Sequence, residues 1–247
     1  MLAEQRMEVI LTELAERRAV SVTDLCQVTG ASEATIRRDL NTLARQRKLN
    51  KVHGGAVLIE EEFRVAEPDM DVKRQLYTAE KDRIARYAVD LIEDEDVVYL
   101  DAGTTVLRMA EYIHSTKALF VTNNIECAFR LVEKGLRTYV LGGFLKPGTM
   151  SVDGAETMDS LRRYNFTKAF LGVTGITVAQ GFTTPDPEAA AAKILAASRA
   201  QQVYVLADSS KFGKVTAALI FPLETAAIIT DELPDRRYLE YTDVKEA

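Results

Sequence analysis

Cysteine and histidine are scarce, two of each in 247 residues. Cys26 and Cys127 lie far apart and form no CxxC pair, so they read as plain buried thiols in a reducing cytoplasm. His53 and His114 make no metal-ligand pattern, and neither a metal nor a cofactor is expected. No run of eighteen apolar residues occurs, so no membrane-spanning helix and no membrane partner is expected. The start of the chain, Met1–Arg18, mixes acids with bases on an amphipathic pattern, unlike a secretory or transit signal. Together these absences favour a cytoplasmic protein.

Charge is present in quantity but unevenly spread. The chain carries −6 overall, which argues against a generic coat for nucleic acid. Yet Gly30–Gly55 holds Arg37, Arg38, Arg45, Arg47, Lys48 and Lys51 against only Glu33 and Asp39. That piece is +4 and the remainder −10, a local basic face on an acidic body.

Within the basic piece, Ile36, Leu40 and Leu43 recur at i, i+4, i+7, an apolar stripe at helical period. Ser32 stands where an N-cap belongs. At about 100° per residue, Ala34, Arg38, Asn41 and Arg45 point away from the stripe, with Thr35 and Arg37 on its flanks. Short residues at the start allow close approach, and arginines pair with guanine edges or phosphates, so this face fits a major groove. A merely solvated helix face is the alternative, and the neighbouring segments weigh against it. Glu4–Arg18 reads as an amphipathic helix, Val20-Ser21-Val22 as a short strand, and Thr23–Thr29 as a short helix turned at Gly30, the spacing of a helix-turn-helix. Lys48–Val57 reads as a β-ribbon with a tight turn at Gly54-Gly55, carrying Lys51 and His53, a wing beside the recognition helix. The basic segment has no interleaved aromatics, so duplex DNA suits it better than RNA.

The acid-rich Leu58–Lys73, with Pro68, loses periodicity and reads as a linker, giving a division into residues 1–57, a linker 58–77 and a second domain 78–247. Beyond it helices (80–92, 106–114, 125–133, 155–163, 188–200) alternate with strands (96–100, 118–121, 138–141, 169–173, 203–207). Short strands near 217–221 and 226–230 follow. Such alternation predicts an α/β domain with a mostly parallel sheet covered on both faces. Alanine-rich 189–192 falls within a helical pattern.

Ligands of such sheets bind beyond the carboxyl ends of the strands. The first end is Asp101-Ala102-Gly103-Thr104-Thr105, hydroxyls and amides at a helix start that suit an anion. The others are Thr122-Asn123-Asn124, Leu141-Gly142-Gly143, and Asp208-Ser209-Ser210-Lys211-Phe212-Gly213. An N-capping residue or a chain-turning glycine explains any one of them, but four in one sheet point to a binding site.

The helix SEATIRRDL followed by VHGGA resembles the winged helix-turn-helix of the DeoR family of bacterial repressors, and DxGTT, TNN, GG and DSSKFG follow in the order of that family's effector domain. The resemblance covers essentially the whole chain. It implies a domain similar in fold to ribose-5-phosphate isomerase, a phosphorylated sugar as effector, double-stranded operator DNA as partner, and a homo-oligomer, dimer or tetramer. Glu67-Pro68-Asp69-Met70-Asp71, Arg137–Leu145 and Gly181–Glu188 look most like the fructose-operon repressors, which favours fructose 1-phosphate. Carried over, Gly103, Thr104, Thr105 and Lys211 hold the phosphate. Asp101, Asn123, Glu188 and Lys193 face the sugar, with Thr122, Gly142, Gly143 and Asp208 in the same strand-end set. Ala189, Thr174 and Thr167 depart from the pattern. An isomerase-like enzyme fused to a DNA-binding domain is the alternative. Isomerisation needs a titratable base, which the resemblance to those isomerases puts in the helix before the final ligand-binding strand. Here that helix start is Ala189-Ala190-Ala191-Ala192 with only Glu188 available, and the loop Gly172-Val173-Thr174-Gly175 has no carboxylate, so binding without turnover is expected.

Overall fold

A computed structural model describes residues 1–17, 19–46, 48–57, 62–63 and 70–247. The chain divides into two compact units, Met1–Glu62 and Phe63–Ala247. Arg47, and most of the expected linker including Glu67, Pro68 and Asp69, lie outside the described residues.

In the first unit α1 (Ala3–Arg17), α2 (Val22–Thr29) and α3 (Glu33–Arg45) pack around Ile10, Leu14, Leu25, Ile36, Leu40 and Leu43. The caps stand where the side chains allow them. Ser21 and Ser32 accept the backbone N–H of Asp24 and Thr35, and Gly30 ends α2 with a left-handed φ of 69°. Strands β1 (Ala19–Ser21), β2 (Asn50–Val52) and β3 (Gly55–Val57) form an antiparallel sheet in the order β1-β3-β2. A Cβ on Gly55 would overlap the carbonyl oxygen of Val20, so only glycine lets the wing lie this close to β1. Asp39 does not face solvent. It is buried on α3 and its Oδ2 accepts from Arg6 Nε of α1 at 2.6 Å.

The second unit opens with α4 (Met70–Gln75), a helix where sequence periodicity predicts linker. Then come α5 (Thr78–Val89), β4 (Val97–Leu100), α6 (Thr104–Tyr112), β5 (Leu119–Thr122), α7 (Ile125–Glu133) and β6 (Arg137–Val140). A hairpin β7 (Phe144–Lys146) and β8 (Ser151–Asp153) leads to α8 (Ala155–Leu161) and β9 (Phe166–Gly172). A second hairpin, β10 (Gly175–Thr177) and β11 (Gly181–Thr184), precedes α9 (Pro187–Ser198), β12 (Ala200–Leu206), β13 (Ala218–Phe221), β14 (Ala227–Thr230) and β15 (Val244–Glu246). Seven strands form one parallel sheet in the order β15-β14-β12-β9-β4-β5-β6. Alternate residues serve opposite faces. Val98 and Leu100 join Ile84, Val106, Met109, Phe120 and Leu131 under α5, α6 and α7, while Tyr99 joins Leu161, Ala169, Ala196 and Phe182 on the other side.

Two expectations are corrected. The strand near 217–221 is not in the parallel sheet; β13 pairs antiparallel with β11, and β10-β11-β13 make a separate small sheet. Cys127 is buried, its thiol pushed up to about 12 by burial, but Cys26 is only half-buried; both are free. Among the described residues no helix is long and apolar enough to cross a membrane, and no cluster of His, Cys, Asp or Glu is suited to a metal ion.

Candidate functional site

The basic face of α3 is built by its own periodicity. With Ile36, Leu40 and Leu43 buried, Ser32, Ala34, Arg37, Arg38, Asn41 and Arg45 are exposed and Thr35 is half-buried. Arg38 and Arg45 carry no ion pair among the described residues, whereas Arg37 reaches back to Glu33 at 3.3 Å. Lys51 on the wing donates to Asn41 Oδ1 at 2.7 Å, tying wing to recognition helix, and His53 sits exposed in the wing turn. The Arg6 pair removes Asp39 from this surface, so the face is more basic than a residue count suggests.

In the second unit the strand-end residues separate into three groups. The first surrounds Asp101. Its buried carboxylate accepts the Gly172 amide at 2.9 Å and pairs with buried Lys193. Two residues on, Gly103 opens α6 with no side chain capping it, and Thr104 and Thr105 begin the helix. The Cα of Gly172 lies 3.5 Å from where a Cβ of Gly103 would stand, so two strand-end backbones pass closely here. An uncapped helix start presents orphan N–H groups and the positive end of the helix dipole.

The second group is cationic and includes a residue that strand-end reasoning misses. Lys81, on α5, is buried, and its ammonium donates to the carbonyls of Lys73 and Leu76, the latter at 2.7 Å. Burial pulls it down to about 8; nearby Asp208 opposes this, and Lys211, Arg108 and Lys73 reinforce it. Arg108 lies one turn after Thr104 on the same face of α6. Asp208 is fully buried; Oδ1 accepts from Ser210, while Oδ2 has no hydrogen-bond partner among the described residues and lies 3.8 Å from Lys211 Nζ. The signal for Lys81 was in the sequence: it occupies the apolar stripe of α5 with Ile84, Ala85 and Ala88, at i, i+3, i+4, i+7, where a lysine has no packing reason to be. Tyr77, with a left-handed φ of 54°, turns the chain between α4 and α5 just beside the two carbonyls.

The third group centres on Lys146. It bonds Asp186 and Glu188 at 2.8 Å each and lies 3.4 Å from Asp153. Burial opposes its charge, but these carboxylates hold Lys146 above the ordinary lysine range. Beside it is a cavity of about 190 Å³ lined by Asp153, Gly154, Thr157, Met158, Glu188 and Ala192. Helix α9 thus turns Lys193 toward Asp101 and Glu188 toward this cavity.

The remaining strand-end residues are engaged within the fold. Thr122 Oγ1 donates to the Leu100 carbonyl at 2.6 Å, and Asn123 accepts from Tyr99 Oη at 3.1 Å. The Gly142 carbonyl accepts from Thr157, and Gly143, at φ 141°, packs where a Cβ would strike that hydroxyl. Of the three departures, Thr167 lies at the amino end of β9, bonded to Asp96, far from the strand ends that matter. Thr174 and Ala189 flank the small sheet and the start of α9.

Known proteins agree with both units. Residues 6–62 match the DeoR-like helix-turn-helix domain and residues 77–232 the DeoR C-terminal sensor domain. An uncharacterised HTH-type transcriptional regulator, FruR, of Bacillus subtilis strain 168 is 39% identical over 249 residues, 99% of this chain and 98% of that one. The lactose phosphotransferase system repressor of Streptococcus mutans is 32% identical over 98% of each chain. Among solved structures, ribose 5-phosphate isomerase A of Methanocaldococcus jannaschii aligns over 53% of each chain at 16% identity and a TM-score of 0.40. These sequence relatives are regulators, not enzymes, and the chain belongs to the DeoR family of transcriptional regulators.

Proposed function

We propose that this regulator represses a sugar-utilisation operon and is relieved by a phosphorylated sugar, with fructose 1-phosphate the favoured effector. Residues 1–57 form the DNA-reading head and 78–247 the sensor and oligomerisation domain. The head lays α3 in the major groove of operator DNA, with Ala34, Thr35, Arg38, Asn41 and Arg45 over base edges. Ser32, Arg37, Lys51 and His53 reach the phosphate backbone.

The observation that carries the effector reading is Lys81. Its ammonium is buried on the Lys73 and Leu76 carbonyls, with Lys211 and Arg108 near enough to disfavour its charge, an arrangement that an anion would relieve. A sugar phosphate places its phosphate among Thr104, Thr105, Lys81 and Lys211, and its hydroxyls toward Asp101, Lys193 and Glu188. The phosphate competes with the Lys73 and Leu76 carbonyls for Lys81 and loosens α4. A coupling of about 1–3 kcal/mol between effector and operator is the usual size of such an effect. Turnover is not expected, since Glu188, the carboxylate at the start of α9, is tied to Lys146.

A thermal-shift comparison of fructose 1-phosphate, fructose 6-phosphate and ribose 5-phosphate tests this. A ligand at 100 times its Kd stabilises by about 2.7 kcal/mol. Fructose 1-phosphate should give the largest shift and Lys81→Met should abolish it. No shift with any phosphorylated sugar would overturn the reading.

A further inference from the structure

The two outer edges of the parallel sheet are finished differently. At one edge β15 carries Lys245 and Glu246, Lys245 is paired with Asp243 at 2.7 Å, and Glu246 accepts the Leu233 amide at 3.0 Å. Charges at that edge discourage pairing with another chain. At the other edge β6 carries a single charge, Arg137 at its start, and its remaining residues are uncharged. Tyr139 is 50% and Val140 42% exposed, and among the described residues the outer side of the strand has no neighbour in the sheet.

The surroundings of β6 are apolar as well. Helix α7 packs against β6 and presents Phe129, 64% exposed, and Val132, 58% exposed, one turn apart. Just after the strand, Phe144 is 67% and Leu145 42% exposed on β7. Given full residue areas, these six residues, spread over both faces of the edge, leave about 600 Å² in water, the top of the range for the largest patch on a monomer. Glu133, Lys134 and Arg137 border the patch with both signs of charge. The hairpin bearing Phe144 is also held in place, since Lys146 on the same strand is fixed by Asp153, Asp186 and Glu188.

We infer that this edge is the surface on which a second copy of the chain docks. Two copies related by a twofold axis normal to the sheet bring β6 against its mate antiparallel, satisfying the open N–H and C=O groups of both. Doubling the patch gives about 1,200 Å², the lower end of what a stable, specific dimer buries. Mixed charge at the rim is self-complementary under such an axis, which favours a like partner over an unlike one.

Sedimentation velocity on the full chain, from nanomolar to high micromolar, tests this without reference to the effector. Wild type should dimerise. Phe144→Asp and Val132→Glu should each weaken the dimer by at least about thirtyfold, the loss of a central anchor. Leu239→Asp, 52% exposed away from the patch, should leave it unchanged. Hydrogen exchange on wild type should show amides of Arg137–Val140 protected only at high concentration. A monomer throughout, a dimer that both folded variants leave intact, or no concentration-dependent protection at that strand would each overturn the inference.

Discussion

The candidate residues of the two units live in opposite surroundings. On α3 and the wing, Arg38, Arg45, Lys51 and His53 stand in water, and most have little to do within the fold. At the sheet's carboxyl end, Asp101, Lys193, Asp208 and Lys81 are buried and engaged with one another or with backbone. A surface that grips a long polyanion from outside can be separated from the core that carries it. A pocket for a small anion cannot, because its charges must be held in balance when the ligand is away. Substitutions on the exposed basic face of the first unit should therefore change binding without changing stability, and those in the second should change both.

The largest test of this contrast is Lys193→Ala. It leaves Asp101 buried and unpaired, and should cost the sensor unit about 3–5 kcal/mol in urea unfolding. Adding Asp101→Asn should recover much of that; equal instability of single and double variants would remove the ion pair from the account.

Arg38→Ala should weaken operator binding by about 1–3 kcal/mol while the thermal midpoint stays put. A variant that loses operator affinity and midpoint together would erase the distinction between the two regions. Next in size is the pH response of Lys81. Folded, it sits at about 8 against 10.5 when free, so between those values the unfolded chain binds more protons and this group's contribution to stability rises with pH. Effector affinity should move the other way, since phosphate needs the ammonium. Kd should increase by up to about tenfold per pH unit above 8, with proton uptake on binding seen by calorimetry in two buffers. A flat Kd from pH 7 to 9 would remove Lys81 from the pocket. Smallest is Lys51→Ala, which should weaken all DNA sequences alike and lower the salt slope by about 0.9.

How much of this was legible in the sequence follows the same division. Helix α3 and its face could be read because period, N-cap and exposed charge are all local. The parallel sheet could be read from apolar runs such as Val97–Leu100 alternating with helices. The hairpins at 144–153 and 175–184 could not: Gly142-Gly143 and Pro147-Gly148 look like loop, and three-residue strands are too short to show a period of two. Which sheet the strand 218–221 joins could not be read, because an apolar run states that it is buried, not against what. Glu188 is expected from the family resemblance, yet its partner Lys146 comes from a hairpin that sequence reasoning does not show.

The buried pair between Arg6 and Asp39 has a consequence for genetics. Arg6 is far from the operator-facing residues in sequence, but its bond to Asp39 ties α1 to α3. A screen for alleles that lose repression should therefore recover changes at codon 6 beside those at codons 38 and 45. Unlike them, the codon 6 alleles should be temperature-sensitive, because what they lose is alignment rather than contact.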